Sequence, residues 1–580
     1  MAEESNVVVD RGASSWSDLW KKEDYLAIWL GFFLIFICLI GYFYYGPRDE
    51  YTQKINTANK IQSEEEARAP FKTLAWYGAA DEKSKLRASS GSDIGKFLGH
   101  WTKKPGSWNN NPLDALVRTP EQANALNEKN MPKYVEAKAA EETALQGAVA
   151  AEAAAGAALF QNPQLNQTAE GQIKNWRDAR KKASDAKRKA ENKPYNYIPT
   201  LIGLGAFFAL IFGVGIKLMG QSAMRFAAGF SFVFFVSVLA YILGGQGIAK
   251  QYGIGAEAWG IIIGMLIANT IRTPRWVLPA CQVEFFIKTG LVLLGAEVLF
   301  NKIIAIGIPG IFVAWVVTPI VLISTFIFGQ KVLKMPSKTL NIVISADMSV
   351  CGTSAAIATA AACRAKKEEL TLSIGMSLVF TAIMMIVMPM VIKAVGIPEV
   401  LGGAWIGGTV DSTGAVAAAG AFLGDKALYV AATIKMIQNV MIGVTAFGVA
   451  MYWVLKVDRV EGQKVSPMEI WHRFPKFVLG FLAVSIFFSY LDASLDSTMS
   501  VALLDQGVVR GGTRLFRDWF FALSFAAIGL STNFRELAHY FKGGKPLILY
   551  VCGQSFNLFL TLLMAYIMFY LVFPDITARI

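Results

Sequence analysis

Two short polar stretches that carry glycine, Ser349-Val-Cys-Gly-Thr-Ser354 and Gly407-Gly-Thr-Val-Asp-Ser-Thr-Gly414, interrupt otherwise apolar sequence. Each leads into an alanine-rich run, Ala355 to Cys363 and Ala415 to Leu423. If Ala355 opens a half-helix, its unpaired N–H groups and the positive end of its dipole face the break. Ser349, Thr353 and Ser354 add hydroxyl donors, and Gly352 lets backbone come close to a solute. The result is an anion cradle without a fixed positive charge. A seam of small residues between packed helices is the alternative. The cradle is favoured because the polar residues cluster where an apolar span should continue, and in hydrocarbon irregular backbone survives only against protein or a water-filled cavity.

The second break follows the same logic, with Asp411, Ser412 and Thr413 placed after two glycines and before alanines. Asp411 either binds a coupling cation or proton, or caps the helix that follows, as Asp commonly does. Ionisable residues inside apolar spans are costly and mark function. Lys435 is one, with Gln438 and Asn439 a turn further on. Lys435 and Gln438 share a face at i, i+3, where the lysine would hold an anionic substrate or neutralise Asp411. Asp347, two residues before the first break, is the better candidate for ion coupling; Glu297 shares its lack of a partner in sequence. Glu284 and Lys288, at i, i+4, read as a structural pair, and Ser531, Thr532 and Asn533 as the end of a span.

The elements that must position these residues are membrane helices. Of 580 residues 54% are hydrophobic and 17% charged, well below the charge of soluble domains. Apolar segments long enough to span a bilayer recur near 197–220, 226–245, 256–270, 281–300, 303–328, 337–362 (broken), 368–395, 401–423 (broken or re-entrant), 425–455, 473–491, 515–534 and 546–572. The formal charge of +12 is assigned to positive-inside bias in short loops rather than to nucleic acid. All five cysteines lie in or beside apolar segments, which argues against a disulfide framework. The three histidines lack ligand spacing, so no metal site is expected. Walker, HExxH and GxSxG signatures are absent in credible contexts, so the chain is not read as an enzyme, and no cofactor is expected beyond a coupling Na⁺ or H⁺.

The expected organisation is a cytoplasmic segment 1–24, an uncleaved anchor helix 25–45, a largely helical extracytoplasmic polar insertion 46–196, and a transporter domain 197–580. Good helix formers from Ala137 to Lys193 predict a long helix or helical hairpin within the insertion, ended by Pro194. With the N-terminus inside, Lys217, Arg225, Arg272, Arg275, Lys331, Lys334, Lys338, Lys456, Arg459, Lys464, Arg535, Lys542 and Lys545 all fall on the cytoplasmic side. Arg510, Arg514 and Arg517 run against that trend. Arg364, Lys366 and Lys367 fit only if 337–362 is a re-entrant hairpin or a helix that stops midway. A faint echo links Phe285–Glu297 with Phe520–Ser531, as in repeat-built transporters.

From about Leu201 to Phe573 the chain resembles the YeiH-type sulfate exporter family. The resemblance is carried by Gly290-Leu-Val-Leu-Leu-Gly295, Ser349-Val-Cys-Gly-Thr-Ser-Ala-Ala356, Gly408-Thr-Val-Asp-Ser-Thr-Gly-Ala-Val-Ala-Ala-Ala-Gly420, Thr433-Ile-Lys-Met436, Arg473-Phe-Pro-Lys476 and Ala527-Ile-Gly-Leu-Ser-Thr532. It implies an all-α polytopic fold similar to the cation/proton antiporters and bile-acid symporters, with inverted repeats and broken, crossing helices. It also implies a small anionic substrate, sulfate- or sulfonate-like. Ser349, Cys351, Gly352 and Ser354 match the first motif and are carried over as substrate-binding positions. Two departures stand out: Asp411 and Ser412 replace a frequent histidine or glutamate, and Gln438 replaces the arginine of a frequent Lys-x-x-Arg pair. The expected function is ion-coupled secondary transport of a small anion across a bacterial inner membrane by a homo-oligomer, with the insertion free to bind a protein partner. An anion channel on the same fold, or a membrane scaffold or sensor using the insertion, are the alternatives.

Overall fold

A computed structural model describes residues 16–251, 255–298, 300–457, 475–533, 535 and 544–580. Arg459, Lys464, Lys542, and Arg473 and Phe474 of the matched motif lie outside the described residues, as do positions 1–15. Among the described residues the only strand pairing is a two-residue ladder, Val117–Arg118 with Tyr195–Asn196. Among the described residues eight helices are long and apolar enough to cross a membrane: Glu23–Phe43, Ile198–Leu218, Ala223–Gly244, Ile306–Lys331, Glu368–Val395, Asp425–Tyr452, Phe477–Ser494 and Lys545–Val572. The chain is an all-α, multi-pass membrane protein.

Its contacts divide it into two compact units, one of Met1–Leu34, Gly205–Ser489 and Phe516–Ile580, the other of Ile35–Leu204 and Tyr490–Leu515. The second unit holds the polar insertion. Two long helices, Pro120–Ala157 and Pro163–Ala190, form its hairpin. The first starts on a reciprocal Thr119–Gln122 capping box and the second on the Asn162 side chain, each with proline in its first turn, where no N–H is missed. Besides 46–196 this unit takes in 35–45, 197–204 and 490–515. Within the last of these, between the apolar segments read from sequence, Ser500–Thr513 is a wide-turned helix. Its Gly507, Gly511 and Gly512 pack on Tyr42, Ala88, Ser89 and Cys38, and the Tyr42 hydroxyl donates to Gly511 O at 2.9 Å. Arg510 therefore sits on a packed helix.

In the first unit ten helices carry the argument: α1 Glu23–Tyr44 (its first half), α2 Val283–Leu294, α3 Lys338–Asp347, α4 Thr353–Ala362, α5 Lys367–Val395, α6 Glu399–Thr409, α7 Thr413–Leu423, α8 Asp425–Asn439, α9 Arg514–Ser531 and α10 Lys545–Tyr566. Both expected interruptions are present: helix is lost between α3 and α4 and again between α6 and α7.

The broken segments do not cross the molecule as interrupted spans. Each doubles back. Ser337 and Thr339, at the start of α3, donate to the Glu369 carboxylate at the start of α5, and Lys366 N does so at 3.0 Å. Since α4 ends four residues before α5, both open ends of the α3–α4 pair return to one place, with Ile342 and Val343 packed on Ala356, Ala360 and Cys363. The second pair behaves likewise at the far end of α5, where Gly402 packs on Ile392 and Leu423, and Gly424 on the Glu399 carboxylate. Helix α5 has 29 residues, about 43 Å at 1.5 Å per residue. Two hairpins thus enter from opposite ends of a membrane-length helix and meet tip to tip. The broken helices implied by the family resemblance take this form here. Re-entrance also returns Arg364 and Lys366 to the end of the molecule that carries Lys334 and Lys338, which is the condition the charge pattern demanded.

Candidate functional site

The hairpin tips touch at Gly352. Its φ of +68° with ψ of −128° is a conformation open to glycine alone. A Cβ there would stand 2.7 Å from Asp411 O and 3.1 Å from Ser377 Oγ. Sequence dictates this closeness: only hydrogen at position 352 lets one unwound backbone approach the other.

Unwinding frees carbonyls, and side chains from two flanking helices take them up. From α8, Lys435 Nζ donates to Val350 O at 2.8 Å and to Gln438 Oε1 at 2.7 Å. Gln438 Nε2 reaches Ser349 O and Gly408 O at 3.1 and 3.2 Å, and Thr318 Oγ1 at 3.1 Å. From α10, Asn557 Nδ2 donates to Met348 O and Gln554 Nε2 to Thr409 O, both at 3.1 Å. Gln438 therefore ties both tips together. These bonds remove much of the cost of irregular backbone at this depth.

A cavity of about 390 Å³ opens where the tips meet. It is lined at the tips by Gly352, Thr353, Asp411 and Ser412, along α5 by Ser377 and Thr381, and elsewhere by Glu284 of α2 and Ser531, Thr532 and Asn533 at the end of α9. Apolar walls come from Leu378, Met385 and Ile528. The N-termini of α4, ten residues long, and α7, eleven, both begin at the tips that line it. No lysine or arginine lines the cavity among the described residues.

The residues singled out from sequence separate on this geometry. Gly352, Thr353, Asp411 and Ser412 line the cavity, and Ser354 and Thr413 lie next in chain to lining residues. Ser349, buried, turns its hydroxyl to Ser345 O at 2.6 Å. Cys351 packs in a small apolar cluster with Ala355, Ala358 and Met441. Asn439 Nδ2 donates to Thr413 Oγ1 at 3.2 Å. Lys435 and Gln438 hold backbone and are absent from the lining. Asp347 is wholly buried behind the first tip: Oδ2 accepts from Ser373 Oγ at 2.6 Å, and Oδ1 has no hydrogen-bond partner among the described residues. The Asp411 carboxylate accepts from the Tyr550 hydroxyl at 2.5 Å.

Four residues passed over in sequence prove central: Ser377, Thr381, Tyr550 and Gln554. Their signal was a polar stripe, Ser373, Ser377 and Thr381 on α5 and Tyr550, Gln554, Asn557 and Thr561 on α10, at helical spacing within apolar spans. Glu284 does pair with Lys288, at 3.7 Å, although Lys288 stands closer to Glu23 and Asp24 of α1 at 2.7 and 2.8 Å. Glu297 finds Arg517, buried, at 2.7 Å, and the Tyr429 hydroxyl at 3.1 Å. Arg517 is thus a core residue, which explains its departure from the loop-charge trend.

Residues 228–550 match a family model described as conserved hypothetical protein 698. A UPF0324 membrane protein of Nitratidesulfovibrio vulgaris is 63% identical over 581 residues, covering 100% of both chains. A UPF0324 membrane protein of Rhodopirellula baltica is 58% identical over 379 residues, 65% of this chain and 69% of its own. The UPF0324 inner membrane protein YeiH of Escherichia coli is 29% identical over 317 residues, 51% and 81% of the two chains. No solved structure matches.

Proposed function

The chain belongs to this family of UPF0324 membrane proteins, and from that premise we propose that it is an ion-coupled secondary transporter for a small anion, sulfate- or sulfonate-like. One observation carries the reading: two re-entrant hairpins meet at Gly352 and Asp411, and a cavity with hydroxyl and carboxyl groups on its wall opens at their tips. Discontinuous helices that aim their N-termini at a midplane cavity are how secondary transporters grip anionic groups. Here Thr353 and Ser412 add hydroxyl donors, and Ser377, Thr381 and Ser531 supply more around the wall.

Coupling is assigned to Asp347 and Asp411. A buried carboxylate oxygen without a donor is costly, and a proton or Na⁺ at Asp347 removes that cost. Asp411 lies in the cavity itself, where an arriving cation or proton lowers its repulsion of an anion. The protein contributes positioning and a change of access, with no covalent chemistry, so an enzymatic role is not proposed.

The positive-inside tendency supports a cytoplasmic side for the open end of α3–α4, and with it Glu284 and Asn533. The cavity then faces inward, and the insertion 46–196 lies on the periplasmic side of an inner membrane, available to a protein partner. A homo-oligomer is the proposed assembly. The test is flux in proteoliposomes of sulfate and small sulfonates, with Na⁺ or proton gradients imposed in turn. Gradient-driven accumulation supports the proposal. Flux that only follows the solute's own electrochemical gradient would point to a channel, and absence of any anion flux would remove the reading.

A further inference from the structure

The cavity carries two kinds of charge. At the hairpin tips the N-termini of α4 and α7 present unpaired N–H groups. Asp411, also at the tips, accepts from the Tyr550 hydroxyl. With a coupling proton or cation on Asp411, that pole is neutral in formal charge and positive in dipoles. It suits an oxyanion.

The other pole is the start of α2. Glu284 lines the cavity with 48% of its side chain exposed. Around it stand Glu23, Asp24, Lys288 and Lys476. Lys288 is nearer to Glu23 and Asp24 than to Glu284 by about an ångström, and Lys476 lies by Asp24. Three carboxylates therefore share the Lys288 ammonium, and Glu284 is the one held at the longest distance, 3.7 Å. A bare anion filling this cavity would meet that carboxylate, and among the described residues no basic side chain lines the wall.

We infer that the transported solute is a small zwitterion, its oxyanion group seated at the hairpin tips and its ammonium group against Glu284, as in an aminosulfonate or a short amino acid. This rests on the transport reading above and narrows its substrate class. A volume of about 390 Å³ accommodates such a molecule with water to spare. An ammonium group donates charge-assisted hydrogen bonds to a carboxylate, whereas a hydroxyl in its place recovers only part of that interaction.

Taurine and isethionate form the decisive pair, because they share a two-carbon sulfonate and differ in ammonium against hydroxyl. Binding of each to the full chain is measured by ligand-induced thermal stabilisation, and transport by counterflow in proteoliposomes. The expected result is a preference for taurine of about tenfold or more, the worth of one charge-assisted contact. In Glu284→Gln the ratio should fall towards one through weaker taurine binding, with isethionate unchanged or improved. Glu284→Asp should keep the preference. A merely structural role for Glu284 would weaken both solutes alike. Isethionate or sulfate handled as well as taurine by the native chain overturns the inference and leaves anion transport standing. Failure of all three to bind or move overturns both.

Discussion

Lys435 and Gln438 are buried, charged or polar, and both donate to backbone of the hairpin tips. Removing either takes donors from buried carbonyls, and a buried unsatisfied group costs about 1–3 kcal/mol. Lys435→Met and Gln438→Leu should each lower the unfolding midpoint of purified protein by that order. Solute affinity of the folded fraction should change less than about threefold, since truncating a structural contact spares a site it does not touch; a loss of affinity tenfold or greater with unchanged stability would return these residues to the solute. Gly352→Ala should be harsher. It meets Asp411 O and forces a non-glycine residue into a conformation worth about 1–3 kcal/mol of strain, so both stability and flux should fall. A variant as stable and active as the native chain would show that the tips do not meet there. For Asp347, whose Oδ1 lacks a donor, the conservative Asp347→Asn replacement should leave binding intact and abolish gradient-driven accumulation. Accumulation that persists would move coupling elsewhere.

Between residue and fold lies the hairpin. Its re-entrance rests on Glu369, which receives Ser337, Thr339 and Lys366 N, and on Glu399 packed beside Gly424. The outcome is checkable by labelling single cysteines from one side of the membrane. Cysteines at Lys338 and Arg364 should react from the same side, and those at Glu399 and Asp425 from the opposite side. Reaction of 338 and 364 from opposite sides would make α3–α4 a crossing helix. Helix positions were legible in sequence because apolar length, alanine runs and glycine-bearing interruptions are local signals. The doubling back was only half legible. Arg364, Lys366 and Lys367 demanded it through charge, but the side-chain bonds that close the hairpin join residues about thirty positions apart, and no local pattern reports them. The helix at Ser500–Thr513 was missed for a related reason: it has three glycines, poor helix formers, and owes its helicity to close packing on Tyr42 and Ser89.

At the scale of the molecule, two hairpins and α5, α2 and α9 converge on one cavity. The sequence already placed Gly352, Thr353, Asp411 and Ser412 there. The charge of Lys435 suggested a ligand or a partner for Asp411, while the unwound carbonyls of another segment that it reaches were invisible in one dimension. Conversely Glu284 read as half of an i, i+4 pair because Glu23 and Asp24, more than 250 positions away, could not be seen competing for Lys288. The central claim is that solute binds where the hairpin tips meet. Its most direct test is the rate at which a membrane-impermeant thiol reagent modifies Thr353→Cys and Ser412→Cys, with and without transported solute. The account predicts modification from the cytoplasmic face at both positions, slowed severalfold by solute in each. Modification indifferent to solute, or no reaction from that face, would contradict it.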